Sequence, residues 1–115
     1  MKSSNKLCED ALCAIFLPYA KAEACKFYKD FLTVKPSIMI YCIKLVNIRH
    51  SPCEGSKYIL DFDIYPYIGA HVTIAVNRMT VCINAYDGEI TVVSFKQVRS
   101  FPIPNHLWDV VCQPF

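Results

Sequence analysis

Residues 44–65, KLVNIRHSPCEGSKYILDFDIY, decide the fold. The second half of this stretch alternates cleanly. Tyr58, Leu60, Phe62 and Ile64 point one way, and Lys57, Asp61, Asp63 and Tyr65 the other, with Ile59 the one break. Such a strand has one buried face and one mostly wet face. Ser51, Pro52, Cys53, Glu54 and Gly55 form a turn after the mixed apolar segment 44–50. Together these parts predict an antiparallel hairpin whose apolar face needs a cover, and a helix is the simplest one.

The cover lies upstream. Residues 8–32 have helical periodicity, interrupted at Pro18. Proline suits the first turn of a helix and not its interior, so the best helix is expected over 18–32. Ala20, Ala24, Phe27, Tyr28 and Phe31 share its apolar face. Residues 9–17 read as a preceding helix, an edge segment or part of a leader, and Pro36 ends the helical region.

Downstream the pattern is that of strands. Expected segments are 38–49, 57–65, 71–77 with Val72, Ile74 and Val76 on one face, 80–86 with Val81, Ile83 and Ala85 on one face, and 89–98. Residues 66–69 reverse the chain, and Asp87-Gly88 signals a two-residue hairpin. Phe101, Pro102, Ile103 and Pro104 make a rigid loop before a short closing strand at 107–112. The expected fold is a single α+β domain over 1–115, one N-terminal helix packed across a curled antiparallel sheet of about five strands.

The chain has 115 residues, 54% hydrophobic and 19% charged, with a formal charge of +2. That length buries a core without metal or disulfide staples. The apolar run 11–20 is broken by Pro18 and too short to span a bilayer. Scattered lysines and small net charge argue against nucleic acid as a partner. Seven cysteines at irregular spacing do not form a complete disulfide framework. They read either as buried thiols in a reducing compartment, the cytoplasm being favoured, or as one or two bridges with thiols left over in a secreted protein. Residues 1–22 follow the order of a cleavable signal peptide, with Lys2 and Lys6, an apolar run and the small residues Ala20 and Ala22. Glu9 and Asp10 stand where such a signal has no acids.

The order of elements, and two local stretches, resemble the cystatins. Residues 44–55 followed by 56–64 look like the cystatin strand, its Gln-X-Val-X-Gly hairpin and the next strand, and 94–103 look like the strand leading to the Pro-Trp loop. Cys112 sits where secreted members have their last cysteine. The resemblance implies a helix wrapped by a sheet and a surface that binds papain-like cysteine proteases. The motifs depart from the family's. Of Gln-X-Val-X-Gly only Gly55 remains, Glu54 adds a charge, and Pro102 and Ile103 replace Pro-Trp, with Trp108 further on. All three glycines follow the helix, so the early inhibitory glycine has no counterpart, and Val93 stands near the expected partner of Cys112.

Catalytic chemistry is weakly indicated. His50 and Cys53 share a turn with no orienting carboxylate at recognisable spacing. Asp61 and Asp63 lie on one strand face, where alternating acids are usually solvated. His71 and His106 lack fixed-spacing partners, and Cys8, Cys13 and Cys25 do not have zinc-site spacing. The sequence therefore reads as a non-enzyme without cofactor or metal. Tyr65, Tyr67, Phe101, Trp108 and Phe115 either form a recognition surface or close the ends of the core.

The expected activity is protein binding by a cystatin-like domain, non-inhibitory or weakly inhibitory. The alternative is inhibition of papain-like cysteine proteases, with Ser51, Pro52, Cys53, Glu54 and Gly55 beside Pro102, Ile103 and Trp108 as one wedge. The wedge requires both tips at one end of the sheet. A small-ligand carrier would need an open cavity on the concave sheet face. An exposed strand edge could also pair with a second copy as a homodimer.

Overall fold

The computed structural model describes residues 4–51 and 56–115. Its first element is one helix, α1 (Ser4–Tyr28), of 25 residues, about 37 Å long. Cys13, Phe16, Ala20, Ala24 and Tyr28 recur every three or four residues and are buried, as expected of a helix laid on a sheet. Pro18 falls inside α1 rather than starting it. It removes one helical hydrogen bond, the one to the Ala14 carbonyl. Its ring is exposed on the outward side of the helix, where it displaces no packed neighbour. The helix closes at Tyr28, whose carbonyl accepts from the amides of Phe31 and Leu32, four residues before the expected end.

The main sheet has four antiparallel strands in the order β1-β2-β5-β6. They are β1 (Ile43–Ser51), β2 (Lys57–Ile64), β5 (Ala75–Asn84) and β6 (Ile90–Ser100). β3 (Tyr67–Ile68) and β4 (Val72–Thr73) form a separate two-stranded ribbon, which the sequence reading did not separate out. The α+β class is as expected, with four main strands rather than five.

Leu60, Phe62 and Ile64 are buried, as the alternation in β2 requires. Tyr58 shares their face but lies near the far end of β2 and is exposed. Phe16 packs on Phe62, with ring centroids 5.2 Å apart. Helix residues thus occupy the face on which a carrier would need a cavity.

The opposite face is polar, yet Asp61 is only 8% exposed there. Its Oδ1 accepts from Thr80 Oγ1 at 2.7 Å, and its Oδ2 pairs with Arg49 at 3.2 Å. Asp63 pairs with Arg78 on the next strand, which raises the guanidinium pKa above its ordinary value, the hydrogen bond to Asp63 being the main cause. Each carboxylate is held by its own cross-strand cation.

Four further elements differ from expectation. Residues 38–42 are not strand, since Ile40–Cys42 is a 3-10 turn that leads into β1. Residues 75–84 run as one strand, and Ala75, Asn77, Met79 and Val81 face the core instead of Val76. The polar pair Asn77-Arg78 hides this phase, because a buried asparagine reads as a surface residue. Asp87-Gly88 is the second half of a four-residue loop, closed by Gly88 N–H to the Asn84 carbonyl at 2.7 Å. Residues 105–110 form a 3-10 helix (Asn105–Val110), and strand pairing there is limited to a bridge between Val111 and Leu32.

Both edge strands are interrupted. In β1, Val46 is an extra residue between the Leu45–Phe62 and Asn47–Asp61 pairs. In β6, Val93 and Val98 are extra in the same way, opposite Thr80–Val81 and Val76–Asn77. All three valines are exposed.

Candidate functional site: an apolar groove at one end of the sheet

Strand register places the predicted tips. Ser51 pairs with Lys57, and Lys57 with Asn84. The amide of Ala85 donates to the Ser56 carbonyl at 2.7 Å. Ser51, Ser56 and Lys57 therefore adjoin the β5–β6 loop at one end of the sheet. Pro52, Cys53, Glu54 and Gly55 lie outside the described residues.

Pro102, Ile103 and Trp108 follow the other end of β6. Ala75 pairs with Ser100, and the Phe101 amide donates to the Ile74 carbonyl. Since β5 runs from Ala75 to Asn84, Ser51 sits at the opposite end of the sheet from Pro102, Ile103 and Trp108. Ser51 and Trp108 cannot form one wedge. Neighbouring strands in an antiparallel sheet alternate direction, so the 85–88 loop shares an end with Ser51 and Lys57.

The segment after β6 builds a groove of its own. Thr33 N–H donates to the Val110 carbonyl, and Cys112 N–H to the Phe31 carbonyl. Gln113 Nε2 donates to the Asp30 carbonyl at 2.9 Å. These bonds tie the tail to the turn after α1. Phe115 then meets Tyr28 and Phe31, with ring centroids 5.3 and 5.9 Å apart. Phe101, Ile103, Trp108, Val111, Cys112, Gln113, Pro114 and Phe115 line a cleft of about 310 Å³. Trp108 donates its indole N–H to the Ile103 carbonyl at 2.8 Å, yet the residue is 61% exposed. The bond fixes the ring while leaving much of it open.

Of the aromatics singled out by sequence, Phe101, Trp108 and Phe115 converge here. Tyr67 instead stacks on His71 at 4.7 Å, and Tyr65 packs against the core. His71 also meets the Tyr41 hydroxyl at 3.1 Å. Val111 contributes to the groove without any signal in the sequence beyond being apolar. Tyr86 stands at the opposite end, 83% exposed. Its position just before Asp87-Gly88 could have marked it as a loop-tip aromatic.

Among the described residues, all six cysteines are free thiols, and no group of three metal-ligating side chains converges. Burial is the main cause that raises the Cys13 thiol pKa, which favours its neutral form. Among the same residues, no helix is long and apolar enough to cross a membrane.

A helix on an antiparallel sheet, with an apolar groove lined by residues 101–115, defines an α+β protein. Over residues 8–99 the chain matches a family described as a protein of unknown function, DUF3888, and it belongs to that family. No curated protein and no solved structure matches it. The family match ends at Arg99, before the residues that line the groove.

Proposed function

We propose that this chain is a non-enzymatic protein-binding domain of cystatin-like architecture that takes an apolar side chain of its partner into the groove beside Trp108. The observation that carries the reading is the exposed indole, pinned by its N–H over an apolar cleft. Exposed tryptophans that need no rearrangement to bind dominate many interfaces, because their large area is desolvated at little entropic cost. The α1-then-strands order and the degenerate hairpin motif support the architecture. Partners captured by the immobilised chain and lost on Trp108→Ala support the reading. The same partners bound by the variant overturn it.

A second reading has its own observation. The Ser51–Lys57 end of β1–β2 and the 85–88 loop adjoin, and Tyr86 stands exposed at the latter's tip. Inhibition of a papain-like protease would then use that end of the sheet, without Pro102, Ile103 or Trp108. Titration against papain decides it. Inhibition that weakens on Tyr86→Ala supports the wedge, and full protease activity at saturating folded protein removes it.

A further inference from the structure

The helix α1 is apolar on two sides. Its inner stripe is buried on the sheet, but Leu7, Ala11, Ala14, Ile15, Pro18 and Ala22 are all exposed. At 100° per residue these six fall within about 50° of one direction, opposite the core. Leu7 and Ile15 are 55% and 56% exposed, although a helix that is apolar all round is normally covered.

We infer that a second copy of this chain covers this face, through antiparallel pairing of α1 with α1. Three observations select that occupant. The stripe is self-complementary about its midpoint between Ala14 and Ile15. Leu7 stands opposite Ala22, Ala11 opposite Pro18, and Ala14 opposite Ile15, which a two-fold interface requires. The small residues Ala11, Ala14 and Ala22 let two helix axes approach to about 8 Å.

The charges fit as well. Asp10 bridges to Lys6 of its own helix at 3.5 Å on the side facing β1. Asp10 and Lys21 lie on one flank of the stripe, and two-fold pairing brings the Asp10 of each copy to within about two residues of the other's Lys21, an offset of about 3 Å along the axis. Within α1, Lys6, Lys21 and Lys26 balance Glu9, Asp10 and Glu23. That zero balance does not favour an anionic lipid surface, which draws helices with an excess of basic residues.

Edge pairing of strands is a poorer route, because β1 and β6 both carry bulges that break a continuous ladder. This inference is independent of the groove beside Trp108.

One helix pair covers less area than a standard stable interface, so the dimer is expected to form at roughly 10–100 µM. The test is sedimentation equilibrium of the full chain across that range, with helix content checked by circular dichroism. Ile15→Lys places two ammonium groups near the axis and should weaken dimerisation by more than about tenfold. Asp10→Lys or Lys21→Asp alone should weaken it by about three- to tenfold, and the double exchange should restore most of the loss. Rescue by the double exchange is the decisive result. A monomer at every concentration overturns the inference, as does a dimer indifferent to both Ile15→Lys and the charge exchanges. A chain that stays monomeric but binds neutral lipid vesicles through this face assigns it to a membrane, and that also overturns it.

Discussion

Tyr28 and Asn77, 49 residues apart in the chain, meet in the core, where the asparagine amide donates to the tyrosine hydroxyl at 3.0 Å. That hydroxyl has a single proton, which goes to Gln97 Oε1 at 2.9 Å. The three side chains join the last turn of α1 to β5 and to β6. Both Tyr28 and Asn77 are fully buried, so each depends on the other for satisfaction.

Tyr28→Phe should therefore cost about 1–3 kcal/mol, since it leaves the Asn77 amide and the Gln97 carbonyl without their partner. Urea unfolding measures this.

The same tyrosine gives an alkaline prediction. Burial pushes its pKa up to about 12 from 10, against a smaller lowering by the Asn77 hydrogen bond. The unfolded chain loses this proton at lower pH than the folded one. The contribution is thus whole below pH 10 and is lost as pH rises through 12, about 2–3 kcal/mol in all. Unfolding midpoints across that window should fall more steeply for the wild type than for Tyr28→Phe. Equal slopes would show that Tyr28 does not carry the effect.

Asp61 predicts an asymmetry. Its side chain is 12% exposed and that of Arg49 52%, so removing either partner leaves a different remainder. Arg49→Ala leaves a carboxylate still bonded to Thr80 and should cost at most about 1 kcal/mol. Asp61→Ala strips Thr80 and Arg49 together at a buried position and should cost about 1–3 kcal/mol. Denaturant midpoints of the two variants should rank in that order.

Two glycines separate backbone strain from contact. Gly69 and Gly88 have φ of 57° and 74°, where a side chain costs about 1–2 kcal/mol. A Cβ at Gly88 meets nothing within 4 Å, whereas one at Gly69 comes within 3.3 Å of Leu107 Cδ2. Gly88→Ala should show the strain alone. Gly69→Ala should cost more, and in a Leu107→Ala background the same substitution should cost only the strain.

Trp108 is the sole tryptophan, so intrinsic fluorescence reports on the groove directly. The free protein should emit as an exposed indole and be readily quenched by acrylamide. A ligand seated in the cleft should shift emission to the blue and protect it. A wild-type spectrum already blue and shielded would contradict the open ring.

How much of this was legible in the sequence varies with the range of the interaction. The β2 face was plain, because Leu60, Phe62 and Ile64 report burial through a period of two, which is local. Helical character in α1 was equally plain, but its extent was not. Pro18 reads as a start because proline is excluded from packed interiors, whereas here it sits on the exposed side. The phase of β5 is hidden at Asn77, because burial of its amide depends on a tyrosine 49 residues away. The placement of Trp108 relative to Ser51 follows from strand order and direction, which no local pattern encodes.

The three inserted valines have a wider consequence. Val46 interrupts one margin of the sheet and Val93 and Val98 the other, so neither margin offers an unbroken template for a further strand. Growth by stacking chain upon chain is thereby disfavoured at both sides. The pairing inferred for α1 would instead be a closed event that uses up its own surface. Concentrated solutions of this protein should therefore stop at discrete pairs and not progress to fibres.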